Sequence, residues 1–115
     1  MTNKNFNGIK LGIVIYSNDP ETVYNAFRFA NFALDKGDIV SVFLLAKGVE
    51  YESLDTEQFN VTEQSKSFIK DSGGKIFACG SCLKIREEEG SQTCPLSTMD
   101  DLYNIVIEND KIITF

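Results

Sequence analysis

Cys79, Gly80, Ser81 and Cys82, followed shortly by Cys94 and Pro95, gather all three cysteines of this chain into one stretch. The stretch comes directly after Ile76-Phe77-Ala78, an apolar run that reads as a short buried strand. A thiol between a strand end and a helix start faces solvent where the helix dipole makes the potential positive. There it can lose its proton, and the thiolate is the form that attacks sulfur or binds metal. In this reading Cys79 ends the strand and Gly80 permits a tight turn and close approach of another molecule. Ser81 caps the helix and Cys82 sits in its first turn, where a cysteine pKa falls to about 3.5–7.5. Lys84 and Arg86 add nearby positive charge, soon opposed by Glu87-Glu88-Glu89.

Three chemistries fit such thiols. Cys79-Gly80-Ser81-Cys82 could be a thiol-disulfide redox pair, although no proline recognisably faces it. Cys79, Cys82 and Cys94 could bind zinc, but the chain has no histidine, so a carboxylate, water or another subunit must supply the fourth ligand. One thiolate could instead accept a sulfane sulfur as persulfide and release it to another thiol by exchange. The absence of histidine also removes the usual general base, which excludes serine-hydrolase and histidine-dependent mechanisms. Gly73-Gly74 precedes a strand rather than opening a helix, so it is no phosphate-binding loop.

The elements that must position these thiols can be read along the chain. At 115 residues it forms one domain, 1–115, with one core. A first strand spans Lys10 to Tyr16, apolar nearly throughout, as in a parallel sheet covered on both faces. Asp19 caps the next helix, with Pro20 at its first position, and Gly37 follows its end near Lys36. Val23, Ala26, Phe27, Ala30, Ala33 and Leu34 make the buried stripe, while Phe32 points away and Phe29 and Tyr24 flank the stripe. The surplus aromatics suit a subunit interface. Ile39 to Ala46 is a second strand. The acidic segment from Val49 to Asn60 reads as a solvated connection with a short helical piece. A helix from Thr62 to Asp71, a third strand from Lys75 to Ala78 and a short helix from Ser81 to Glu88 follow. Ser97 or Thr98 starts another helix, Ser97 with Asp100 resembling a capping box, and Lys111 to Phe115 is a terminal strand.

Strands alternating with helices imply right-handed crossovers and a mainly parallel α/β sheet. Sites in such sheets gather beyond the carboxyl ends of the strands. Ser17-Asn18-Asp19, Ala46-Lys47-Gly48 and Cys79-Gly80-Ser81 should therefore share one edge. The formal charge of −6 argues against nucleic acid and an anionic membrane surface. The absence of a long apolar run or a signal-peptide core points to a cytoplasmic protein, where thiols stay reduced.

The segment Lys75 to Arg86, after a helix ending in Gly73-Gly74, resembles the DsrE/DsrF-like family of sulfur-relay proteins. The opening strand with Ser17 to Glu21, and the stretch from Cys94 to Leu102, extend the likeness over nearly the whole chain. The resemblance implies a three-layer α/β/α sandwich with four or five strands, five being ordered 4-3-2-1-5. The fifth strand would lie near Ser91-Gln92-Thr93. It implies assembly as a dimer, trimer or hexamer, and sulfur-donor and sulfur-acceptor proteins as partners. In the sulfur-carrying, TusD-like members the active cysteine ends a strand, and a short helix closing in Arg-Gly follows. Cys79 matches that cysteine and Arg86 the arginine; Glu87 stands in place of the glycine. Cys79 is then the persulfide carrier, Cys82 its assistant and Cys94 a third candidate. Gly80, Ser81, Ser17 and Asn18 would line the substrate edge. No cofactor or metal is required, and the protein is a carrier more than a turnover catalyst. The rival remains a metal- or ligand-binding module using Cys79, Cys82 and Cys94.

Overall fold

The computed structural model describes residues 8–72, 74–87 and 96–115. Strand β1 (Lys10–Ile15) is buried on both faces after its first residue. It explains the unbroken apolar run, because a central strand of a parallel sheet has no face to give to water. The sheet has five strands in the order β4-β3-β2-β1-β5, with β2 at Ile39–Leu44, β3 at Lys75–Cys79, β4 at Leu96–Ser97 and β5 at Lys111–Thr114. Every pairing is parallel. The five-strand order expected from the resemblance is the one found. The fifth strand lies slightly beyond the expected place, and Ser91-Gln92-Thr93 fall outside the described residues.

Helix α1 (Pro20–Asp35) begins where its signals require. Asp19 accepts a hydrogen bond from the Thr22 N–H at 2.9 Å, and Pro20 takes the first position. Gly37 follows the helix with φ of 95°, a left-handed conformation that favours glycine. Val23, Ala26, Phe27, Ala30 and Ala33 are buried on this helix, whereas Phe32 is 59% exposed. Helix α2 (Val61–Ser72) packs beside it. Phe27 links the layers, with its ring centroid 6.2 Å from Phe68 of α2 and 5.8 Å from Tyr51. Helix α3 (Gly80–Ile85) follows β3, and helix α4 (Met99–Glu108) packs on β1 and β2. Its Ile105 covers Gly12 on the face opposite α1: a Cβ at Gly12 would lie 3.0 Å from Ile105 Cγ2. The cap of α4 is one residue later than expected. Thr98 accepts from the Asp101 N–H, and the Asp101 carboxylate accepts from the Thr98 N–H. No helix among the described residues is long and apolar enough to cross a membrane.

The acidic connection is more ordered than its composition suggests. Ala46–Ser53 is a 3-10 helix with Gly48, Val49 and Tyr51 buried. It begins by folding over the end of β1. The Leu45 N–H donates to the Ile15 carbonyl at 2.9 Å, and the Gly48 N–H donates to the Leu45 carbonyl at 2.9 Å. A Cβ on Gly48 would sit 2.0 Å from the Ile15 oxygen. That contact is with backbone, so no rotamer change relieves it. Gly48→Ala should therefore lower stability by about 2 kcal/mol or more, since overpacking against fixed atoms costs roughly 1–3 kcal/mol or above. Chemical denaturation checks this, and an unchanged midpoint would refute the close approach.

Candidate functional site

The carboxyl ends of β1, β2 and β3 bring three segments together, as topology requires of a parallel sheet. They are the loop after β1, the start of the 3-10 helix, and the junction of β3 with α3. Cys79 is both the last residue of β3 and the N-cap of α3, with φ −58° and ψ 117°. It pairs with Ser97 of β4 and is only 4% exposed. The expectation of a solvent-facing thiol therefore fails for Cys79, because β4 covers the strand edge beside it. Gly80 faces the same strand, where an added Cβ would lie 3.3 Å from the Ser97 carbonyl oxygen. Ser81 is an exposed residue inside the helix and does not cap it.

Cys82, one turn along, is half-buried, and like the buried Cys79 it is free. Its Sγ accepts a hydrogen bond from the Ala46 N–H at 3.2 Å. Ala46 adopts φ of 53°, left-handed backbone that costs a non-glycine residue about 1–2 kcal/mol. Burial pushes the Cys82 thiol up, and the hydrogen bond it shares with Cys79 adds to the rise. The Ala46 amide and the more distant Arg86 charge oppose the shift without reversing it. Expecting the helix start to depress this thiol was thus mistaken. Withdrawal of the thiol from water is the largest cause of the rise.

A polar chain joins the three segments. Arg86 Nε donates to Glu50 Oε2 at 2.7 Å, and Arg86 Nη1 donates to the Cys82 carbonyl at 3.0 Å. Asn18 Nδ2 donates to Glu50 Oε1 at 3.1 Å. These bonds hold the Glu50 carboxyl below its ordinary value, with the Asn18 bond the larger cause and Arg86 next. Ser17 lies on the same edge, but its Oγ accepts from the Asp19 N–H at 3.0 Å, a contact within its own loop. The structure thus connects Cys82, Asn18 and Arg86, while Cys94 lies outside the described residues. Among the described residues no three acidic, cysteine or histidine side chains converge as a metal site. Glu50 was missed by the sequence reading, which took its acidic segment as solvated. Only its proximity to a buried Val49 and Tyr51 hinted otherwise.

The family model for the DsrE/DsrF-like family matches residues 10–115. The chain belongs to the DsrE/DsrF-like family. An uncharacterized protein of Methanocaldococcus jannaschii is 39% identical over 101 residues, covering 83% of this chain and 88% of its own. An uncharacterized protein of Methanopyrus kandleri is 37% identical over 117 residues, covering 94% of this chain and 96% of its own. Among solved structures, the YchN protein from E. coli superposes with a TM-score of 0.77 at 15% identity, covering 94% of this chain and 99% of that one. The last similarity establishes the fold alone.

The family setting gives meaning to the end of α3. Glu87, standing where a family glycine was expected, has φ of 55°, and its N–H donates to the Lys84 carbonyl at 2.9 Å. The residue thus holds left-handed backbone without glycine's freedom. Glu87→Gly should therefore stabilise the protein by about 0.5–1 kcal/mol, the strain relieved less the entropy glycine adds. Thermal denaturation measures it; a destabilised variant would mean the Glu87 side chain contributes more than its backbone costs.

The depressed Glu50 carboxyl gives a pH signature. A lowered folded value stabilises above the unfolded value, near 4, and that contribution disappears as pH falls through the folded value. Glu50→Gln should lower the melting temperature at neutral pH, and the gap from wild type should close at acid pH, once the pH has fallen through the carboxyl's lowered folded value. An equal gap at both pH values would assign the loss to packing instead.

Proposed function

We propose that the protein carries sulfane sulfur as a persulfide on Cys79 and hands it to the thiol of a partner protein. The observation that carries this reading is the dithiol itself, a strand-end Cys79 followed by Cys82 in the first turn of α3, both free. Membership of a sulfur-relay family supports it. In the loading step the Cys79 thiolate attacks the outer sulfur of a donor persulfide. A Cys79 S–S bond forms, the donor's S–S bond breaks, and the donor leaves as its thiolate. Delivery repeats the exchange with an acceptor thiolate, so neither step needs an external oxidant or reductant. The Cys82 S–H supplies a donor beside that sulfur, the Ala46 N–H holds the Cys82 sulfur in turn, and the amides of Gly80 and Ser81 lie at the helix start next to it. Ser17 and Asn18 line the edge that a partner must approach.

Burial suits a carrier that must protect its cargo between partners. The added sulfur extends the side chain by about 2 Å, one S–S bond, toward a partner that opens the edge. Both thiols are free, the state a reducing compartment maintains. Assembly of several copies belongs to the same reading. Phe29 and Phe32 of α1, with Ile113 and Phe115, line an exposed apolar groove of about 500 Å³.

A second reading rests on the same contact: two hydrogen-bonded thiols at a helix start can cycle to a disulfide. Mass spectrometry after exposure to a low-molecular-weight persulfide separates the two. The carrier gains one sulfur atom on the peptide holding Cys79, Cys79→Ser gains none, and Cys94→Ser still gains it. An adduct that survives Cys79→Ser would sink the assignment. So would stoichiometric zinc in reduced protein that takes up no sulfur, and a disulfide formed without any persulfide favours the redox reading.

A further inference from the structure

Both ties between the 3-10 helix and α3 end on the same residue. At one, the Ala46 N–H reaches the Cys82 sulfur; at the other, Glu50 grips Arg86, which holds the Cys82 carbonyl. Glu50 has each carboxylate oxygen occupied by a different segment, Asn18 on one and Arg86 on the other. The pair is partly withdrawn from water, with side-chain exposures of 24% for Arg86 and 31% for Glu50. Arg86 has no freedom there: its Nε and Nη1 point to separate acceptors, and its backbone closes α3 through a bond to the Leu83 carbonyl.

We propose that Glu50 is a positioning residue of the sulfur site: it fixes the Arg86 guanidinium on the Cys82 carbonyl, with its charge matched, and so limits that cation's pull on the Cys82 thiol. The inference rests on the carrier reading in treating Cys82 as the assistant to Cys79. Its physical basis is simple. A guanidinium stays charged at any relevant pH, and an unmatched cation near a thiol favours the thiolate. Arg86 belongs to the same short helix as Cys82, four residues on. The matched carboxylate is what separates a structural arginine from an activating one.

Cys82 as a protonated neighbour has a use. It donates a hydrogen bond to sulfur on Cys79, yet does not attack it. If Cys82 were ionised, it would displace the outer sulfur of a Cys79 persulfide. The products would be a Cys79–Cys82 disulfide and hydrogen sulfide, and the cargo would be lost. Glu50 thereby favours hand-over to a partner above discharge within the chain. Among the described residues, the titratable and charged groups that act on this thiol are Cys79 at the end of β3 and Arg86, the C-cap of its own helix; Glu50 and Lys47 of the 3-10 helix reach it through Arg86, Lys47 by its charge on Glu50.

The test is the pH profile of alkylation at Cys82, read peptide by peptide in the full-length Cys94→Ser protein. Glu50→Gln keeps the shape of the side chain and removes its charge. The profile should move to lower pH, with alkylation about threefold to tenfold faster at pH values below the midpoint. The Glu50→Gln/Arg86→Gln double variant should lose that acceleration, because the effect passes through the arginine. A purely structural role lowers the melting temperature but leaves the profile in place. An unmoved profile, or an acceleration that persists without Arg86, overturns the proposal. Should Glu50→Gln not fold, Glu50→Asp is read in its place: the shorter side chain loosens the hold on Arg86, so a profile moved to lower pH supports the proposal and an unmoved one refutes it. None of these readings requires sulfur uptake, so failure of the carrier reading would appear separately, as a missing persulfide adduct.

Discussion

The carboxyl edge of this sheet depends on how the chain leaves β2. Leu45 donates to the carbonyl that ends β1, and Gly48 then passes so close over that carbonyl that a single carbon atom would collide with it. This passage forces Ala46 into left-handed backbone and turns its N–H toward Cys82. It also sets the rotation of the following 3-10 helix, which brings Glu50 between Asn18 and Arg86. Backbone strain of about 1–2 kcal/mol at Ala46 is small beside the several hydrogen bonds and buried side chains that hold the passage.

Burial is the first influence on the electrostatics of Cys82. The dipole of a six-residue helix is weak, and its first turn carries two sulfurs rather than one anion. Removing Cys82 from water and placing it against Cys79 both favour the neutral thiol. Arg86, the cation best placed to compensate, is already committed to Glu50 and to a backbone oxygen. The result is a pair of unequal sulfurs within one turn of chain.

Much of this was legible from local chemistry. The unbroken apolar run of β1 announced a central parallel strand, and Asp19-Pro20 with Gly37 marked both ends of α1, because caps act through adjacent residues. What the sequence did not disclose was set by distant partners. Strand β4 is two residues long, too short for any periodicity, yet it buries Cys79 and overturns the solvent-exposed reading. Thr98 and Asp101 cap α4 in place of the adjoining Ser97 and Asp100. Ser97 is instead drawn into β4. Alanine carries no signal for left-handed backbone, so the conformation of Ala46 was invisible. Glu50 looked like one of several solvated acids because its two partners lie far away along the chain.

The position of β5 bears on how the protein is made. It pairs with β1 through registers such as Leu11 with Lys111, so the first strand synthesised waits for the last. Domains assemble from the amino terminus as the chain emerges, and β1, β2 and β3 can align before β5 leaves the ribosome. A nascent chain then carries the dithiol on β3 and, across β2, a β1 edge that still lacks its neighbour. Arrival of residues 111–115 closes that edge, through the Phe115 N–H donating to the Val14 carbonyl and the Tyr16 N–H donating to the Phe115 carbonyl. The sheet is thus sealed after the strand that bears the dithiol is in place, and β5 serves as its clasp.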